Sequence, residues 1–395
     1  MSQSPPQLLI PREVRPGEAR VAATPETVQR LSAKGLSIAV EAGAGEASGY
    51  GDQAYATAGA ELLAADAPSW EHLDGVLCVQ SPCQERLEQL RPGAVLVGLL
   101  APYGADALVG ALNRRQVSAL AMELLPRTSR AQTMDVLSSQ ANIAGYKAVL
   151  LAAAALDRYV PMLMTAAGTI QPARTLILGA GVAGLQALAT ARRLGSVVYV
   201  SDVRAAAREQ VESLGGRFVA PPERDEAPGE AGGYAKAASE AFLAAQRQQL
   251  EEQLVQADMV ICTAQVPGRP APRLISEAML DRLRPGAVVV DLAVGQGGNC
   301  ACTVPGQTVL RQGVQLIGAD ALPSSVPNHA SALYARNVAA LLEHLLSLNP
   351  PPGASFGFDR DDPIVAGCLI THGGRCWRPD VVGVAADEPQ LAGVA

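Results

Sequence analysis

Short apolar runs alternate with amphipathic stretches along the first half of the chain. LLI (8–10), SIAV (37–40), GVLCV (75–79), AVLVGL (94–99) and VSALAM (117–122) read as strands. Between them, TPETVQRLSAKG (24–35) and ADALVGALNRRQ (105–116) read as helices. This alternation predicts a parallel sheet covered by helices. Residues 134–157 form one long helical pattern that bridges to a second domain. There the alternation restarts with TLILGAG (175–181) and continues through VVYVSD (197–202), RFVA (217–220), DMVICTA (258–264), AVVVDLA (287–293) and VQLIGA (314–319). A helix over 331–348 returns the chain to the first domain, and the Pro/Gly-rich segment 350–395 ends without an obvious packing pattern.

Composition supports two cores. A chain of 395 residues is too long for one ordinary domain, and 49% hydrophobic with 17% charged residues describes a folded chain. The net charge of −7 argues against a nucleic-acid surface. Seven cysteines form no CxxC pair, which favours reduced thiols in a cytosolic protein; Cys300 and Cys302 lack a second ligand cluster, so no metal site is expected. The opening MSQSPPQLLIPREV lacks the basic-then-apolar pattern of a signal peptide. The longest apolar run, Ala148 to Leu156, has nine residues. A membrane span needs about 20, so no direct span is expected.

One connection is unusually long. Residues 221–238 read PPERDEAPGEAGGYAKAA between a strand and a helix. Loops beyond about 12–15 residues are lids, binding loops or disordered insertions. Tyr234 behind Gly232 and Gly233 fits either a floppy insertion or a flap over a ligand.

GAGVAGL (179–185) carries the clearest chemistry. Its Gly179, Gly181 and Gly184 satisfy GxGxxG directly after a strand and at the start of a helix, and Asp202 ends the next strand. In that context the pattern binds a dinucleotide. Gly179 makes the turn, Gly181 admits the pyrophosphate, Gly184 lets helix and strand approach, and the helix N-terminus donates to phosphate. The Asp202 carboxylate accepts from an adenosine ribose and repels a 2′-phosphate, favouring NAD(H). Arg204, two residues on, is expected to be solvated or near the pyrophosphate. The other strand ends, CTAQVPGRPAP (262–272) and DLAVGQGGN (291–299), offer no His–Asp pair and no activated thiol beside the nicotinamide.

A second polar concentration occupies PRTSRAQTMDVLSSQANIAGYKAV (126–149), where Arg127, Gln132, Asp135, Ser138 and Ser139 precede an apolar helix. Asp135 and Ser138 share a helical face near an N-terminus, where an anion is tolerated. An Arg and an Asp together can fix a carboxamide. The alternative is an Arg127–Asp135 salt bridge tying loop to helix, which leaves Gln132 unexplained.

These motifs, with SDVR (201–204), GGYAK (232–236), TAQVPGRPAP (263–272), VDLAVGQGGNC (290–300), IPREVRPGEARVAATPETV (10–28) and FDRDDPIVAGCLITHGGRCWRP (358–379), resemble the NAD(H)-binding component of proton-translocating NAD(P)⁺ transhydrogenase. The resemblance implies an α/β fold of two Rossmann-like domains with parallel sheets, linked by long helices, with the NAD site in their cleft. The alanine dehydrogenase-like N-terminal domain would comprise 1–140 and 328–380, the NAD-binding domain 141–327, and a flexible tail 381–395. It assigns Arg127 and Asp135 to the nicotinamide end, and Gln132 to a nicotinamide ribose on a partner. Around NAD(H) it adds Ser138, Val182, Ala183, Val203, Gly233, Tyr234, Ala264 and Gln265, with Tyr234 on a loop that closes over nucleotide. It further implies NADP(H) on a partner domain, membrane-embedded subunits that translocate protons, a homodimer, and a position on the cytoplasmic side of an energy-transducing membrane such as the inner membrane.

Alanine dehydrogenase shares this fold and is the competing reading. Of the residues that family uses around its substrate, the Arg falls on Arg20, but the Lys position is Gln80, no His follows in GLLAPY (98–103), and Gly295 stands where the second acid belongs. Without those groups the chain lacks an agent for proton abstraction. A third reading is an NAD-binding module without catalysis.

Overall fold

The computed structural model describes residues 6–65, 69–221, 240–266, 268–348, 350 and 356–382. The chain divides into two compact units, Met1–Gln140 with Val326–Ala395, and Ala141–Ser325. In the first, strands β1 (Gln7–Ile10), β2 (Ser37–Glu41), β3 (Glu61–Leu63), β4 (Gly75–Gln80), β5 (Val95–Leu99) and β6 (Ser118–Ala121) alternate with helices such as Pro25–Ser32 and Asp106–Arg114. The second holds a hairpin, β7 (Leu163–Thr165) and β8 (Gly168–Ile170), then β9 (Arg174–Leu178), β10 (Val197–Ser201), β11 (Arg217–Val219), β12 (Met259–Cys262), β13 (Val288–Asp291), β14 (Thr308–Arg311) and β15 (Val314–Gly318). Helix Pro327–Ser347 then leads back to the first unit, which gains β16 (Leu369–His372) and β17 (Arg375–Cys376).

The first sheet has the order β17-β16-β6-β5-β4-β1-β2-β3 and the second β11-β10-β9-β12-β13-β15-β14. Within each sheet all pairings are parallel except those of β16 and β14. Consecutive strand residues feed separate cores: Leu8 and Ile10 join one cluster and Leu9 another, as Val288 and Val290 do relative to Val289. Both faces are therefore covered, which explains why the strands read as unbroken apolar runs rather than alternations. Helices begin where side chains satisfy their first N–H groups. Thr24 and Thr27 form a reciprocal cap for Pro25–Ser32, and Asp362 accepts from the N–H groups of Ile364 and Val365 to start Pro363–Cys368.

The end of the chain corrects the reading of 350–395 as unpacked. Helix Pro363–Cys368 buries Ile364, Val365 and Cys368, β16 pairs antiparallel with β6, and Gly373 and Gly374, both at positive φ (57° and 76°), turn β16 into β17. A two-residue Gly-Gly turn is a hairpin device. Helix Pro379–Val382 follows and buries Val382; the remainder of the expected tail lies outside the described residues. Among the described residues no helix is long and apolar enough to cross a membrane.

Candidate functional site

In the second unit the glycine turn is built as its sequence predicts. Gly179 adopts φ +101°, and a Cβ there would lie 2.7 Å from the Thr263 Oγ1, which itself donates to the carbonyls of Leu178 and Gly179. At Gly184 a Cβ would lie 1.9 Å from the Gly179 carbonyl oxygen, so any larger residue prises strand from helix. Gly181 instead faces open space, with nothing within 4 Å of a Cβ. It caps the twelve-residue helix Val182–Arg193 without a side-chain hydrogen bond, leaving that N-terminus open to an anion. Val182 is exposed and Ala183 half-buried at this opening. The donor set and the clearance fit a dinucleotide pyrophosphate.

Asp202 stands beside this turn. Its Oδ2 accepts from the Ala180 N–H at 2.7 Å and its Oδ1 from the Arg204 N–H at 2.8 Å. The Arg204 side chain does not lie in solvent as expected. Its Nε and Nη2 fork the two carboxylate oxygens, each at 3.0 Å. A carboxylate only 9% exposed requires such a partner. Burial opposes ionisation of Asp202, but the Arg204 guanidinium and the two backbone donors outweigh it and hold the pKa below the usual carboxylate value. Val203 between them is half-buried.

Three supports carry no signal in the local sequence. Gly145, on helix Val136–Ala155, sits so close to the turn that a Cβ would lie 2.0 Å from the Ala183 carbonyl oxygen. Asn299 is fully buried; its Nδ2 donates to the Ala264 and Pro272 carbonyls and its Oδ1 accepts from the Ala264 N–H. Asp291, also fully buried, accepts from the N–H groups of Ala293 and Cys300 and from the Thr303 hydroxyl. Together they fix half-buried Ala264 and exposed Gln265, whose Nε2 donates to the Leu292 carbonyl. Replacing Gly145 with Ala is expected to weaken NADH binding at least about tenfold while the chain stays folded, because the new methyl displaces the Ala183 backbone. Unaltered NADH titration would show that the turn tolerates the shift. At Gly295, which replaces an acid of the dehydrogenase pattern, a Cβ would lie 3.6 Å from Asp320 Oδ1, so a carboxylate reaches this place from another strand end.

The polar loop belongs to the first unit. Its 3-10 turn Ser129–Met134 buries Ala131 and Met134 and leaves Gln132 exposed, as Arg127 is just before it. Asn337 on helix Pro327–Ser347 donates to the Thr133 carbonyl at 2.8 Å and accepts from the Ser139 hydroxyl, anchoring both ends of the turn. Asp135 does not share a helical face with Ser138. It precedes helix Val136–Ala155 and accepts from both the Ser138 N–H (2.9 Å) and hydroxyl (2.6 Å). Both oxygens of the Asp135 carboxylate are thus engaged by Ser138. Gly233 and Tyr234 lie outside the described residues.

The same unit holds the positions that would deaminate an amino acid. Arg20, 4% exposed, is forked by Glu18 through Nε (2.7 Å) and Nη2 (2.6 Å), and its Nη1 donates to Gln140. Gln80, in place of the Lys, donates to Glu18 and accepts from Arg15. Burial makes nearby carboxyls harder to ionise: it raises Glu13 and Glu123 each to about 7. Glu123 accepts from the Ala101 N–H, while its Oε2 is buried without a partner among the described residues. Its contribution to stability is present below the unfolded value near 4.5 and is lost as pH rises through about 7. Glu123→Gln should therefore match the parent at pH 4.5 and exceed it by up to about 3 kcal/mol at pH 8 in denaturant melts. A difference independent of pH would mean that Glu123 ionises normally.

Comparison with known proteins places this geometry in a lineage. The N-terminal domain model of alanine dehydrogenase/PNT matches residues 9–144 and its C-terminal domain model residues 148–379. The chain belongs to the alanine dehydrogenase/PNT family. It is 44% identical over 386 residues to an NAD(P) transhydrogenase subunit alpha chain of Rhodospirillum rubrum, covering 96% of this chain and 100% of that one. A solved transhydrogenase structure from Sinorhizobium meliloti superposes with a TM-score of 0.80 at 40% identity, covering 94% of this chain and 98% of that chain. Alanine dehydrogenase of Bacillus subtilis is more distant, 30% identical over 292 residues, which cover 73% of this chain and 71% of that one. Within the family the chain therefore lies nearer the transhydrogenase alpha subunits, as its motifs imply, and has the NAD(H)-binding dehydrogenase fold.

Proposed function

We propose that this chain is the NAD(H) side of a proton-translocating transhydrogenase. The observation that carries the reading is the state of the amino-acid site: Gln80 replaces the base, and the Arg20 guanidinium is already forked by Glu18. A direct hydride transfer needs no such base. When bound, NADH supplies the hydride as the C4–H electron pair, which reduces NADP⁺ held on a partner domain with no proton passing through this chain.

The chain's own residues then bind and orient. The Val182, Ala183 and Gly184 N–H groups receive the pyrophosphate, and Asp202 accepts from the adenosine ribose once Arg204 yields part of its fork. Arg127 and Asp135 hold the carboxamide of the nicotinamide, and Gln132 reaches the nicotinamide ribose on the partner. Positioning of this kind lowers the barrier through orientation rather than acid–base chemistry. Membrane-embedded subunits couple the transfer to proton movement, and the chain attaches peripherally from the cytoplasmic side. The exposed Met162 and Met164 in and beside the β7–β8 hairpin support a homodimer.

Mixing the purified chain with an NADP(H)-binding partner domain tests this. Reduction of an NAD analogue by NADPH is expected. No turnover, together with alanine-dependent formation of NADH, would instead favour the amino-acid dehydrogenase.

A further inference from the structure

A large cavity in the second unit is lined by none of the glycine-turn residues. It has a volume of about 580 Å³ and opens at the N-terminal edge of the second sheet, where Arg174 starts β9 and Asp258 immediately precedes β12. The glycine turn follows the opposite end of β9. Three guanidinium groups, Arg158, Arg174 and Arg284, line the cavity against one carboxylate, Asp258, in a chain whose net charge is −7.

Asp258 organises the cluster, and Asp157, outside the lining, pairs with Arg158 Nε at 3.4 Å, so two carboxylates stand against three guanidinium groups. Its Oδ1 accepts from Arg158 Nη1 at 3.2 Å and Arg284 Nη2 at 3.0 Å, and its Oδ2 from the Arg174 N–H at 2.8 Å. The Arg174 side chain donates to two neutral amides, Gln256 (2.7 Å) and Gln253 (2.6 Å), and stacks 3.7 Å from the Tyr199 ring centre, so among the described residues no carboxylate pairs with it. Arg284 makes both of its contacts, to Asp258 and to the Gln256 carbonyl, through Nη2. Among the described residues its Nε and Nη1 donate to nothing. A guanidinium edge with two unengaged N–H groups beside a second guanidinium matches the paired oxygens of a phosphoryl group. Tyr159 (56% exposed) and Ile170 (47% exposed) form an apolar wall of the same cavity.

We infer that this cavity is a second anion site, which takes the phosphoryl group of an organic phosphate on the open edge of Arg284, with the Arg158 charge beside it, and its apolar portion against Tyr159 and Ile170. Free phosphorylated metabolites and anionic lipid headgroups present the same chemistry, and the experiment separates them. Calorimetric titration of the full chain, with saturating NADH to fill the glycine turn, uses phenyl phosphate and inorganic phosphate as probes. Flotation with phosphatidylglycerol vesicles, against phosphatidylcholine vesicles, is the lipid arm. Phenyl phosphate is expected to bind at one equivalent and several-fold more tightly than inorganic phosphate. Arg284→Gln should weaken it at least about tenfold, and Arg284→Lys, which keeps the charge but loses the fork, should fall between.

The NADH titration of each variant reports whether it is folded. If Arg284→Gln alters folding, Arg158→Gln is read in its place. Flotation without binding of the free phosphates, lost in the same variants, assigns the phosphoryl group to lipid. Binding of neither probe nor vesicles overturns the inference, as does binding that survives both Arg→Gln exchanges.

Discussion

Gln132→Asn slows hydride transfer by about 100-fold while NADH affinity stays within about twofold of the parent. The expectation follows from how the loop is held. Ala131 and Met134 are buried, and Asn337 bonds the Thr133 carbonyl, so the backbone under Gln132 cannot follow a shortened side chain. Losing one methylene withdraws the amide by about 1.5 Å, enough to break a contact that exists only when two nicotinamides are aligned. Stopped-flow transfer from NADPH to an NAD analogue, beside fluorescence titration of NADH, separates the two effects. If NADH binding collapses instead, Gln132 belongs to the NAD pocket and the division of roles in the loop is wrong.

Asp202→Ala is expected to weaken NADH by about 10- to 100-fold, the worth of hydrogen bonds to a charged acceptor, and to remove most discrimination against NADPH. Two changes act together. The ribose loses its acceptor, and the Arg204 guanidinium, forked by Asp202 in the parent, is released at the place where a 2′-phosphate would sit. Arg204 is then an attractive partner for NADPH rather than a counter-ion for the residue that rejects it. Paired titrations of NADH and NADPH check this. Discrimination that survives the exchange would place cofactor choice elsewhere in the chain.

The sequence made legible what depends on local pattern. Strands buried on both faces announce themselves as apolar runs, and β1, β2, β4, β5, β6, β9, β10, β12, β13 and β15 each coincide with or overlap a segment marked in that way, as does the edge strand β11. The strands missed are edges or short hairpins: β3 reads ELL with two exposed residues, and β14 alternates exposed with half-buried positions. β16 and β17 were hidden by the Gly/Pro-rich composition around them, although the Gly373–Gly374 turn was a usable signal.

The same division runs through the site. Gly179, Gly181, Gly184 and Asp202 follow from spacing, because the turn is a local device. Gly145, Thr263 and Asn299 do not, because each acts on a segment distant in sequence: Gly145 on Ala183, Thr263 on Gly179 and Asn299 on Ala264. The pairing of Arg204 escapes the sequence for a related reason. Sequence shows a cation near an acid but not that the acid is buried and must be paired. The missing amino-acid base was legible as Gln80, whereas the Glu18 fork on Arg20 emerged only in three dimensions.

The central claim is a direct transfer between two nicotinamides, and isotope retention tests it most directly. The chain and its NADP(H)-binding partner domain are supplied with NADH deuterated at the transferred C4 position, in ordinary water, and the NADPH formed is analysed by mass spectrometry. Undiluted deuterium in the product is the predicted result. Label lost to solvent, or transfer that requires an added amino acid, would contradict it.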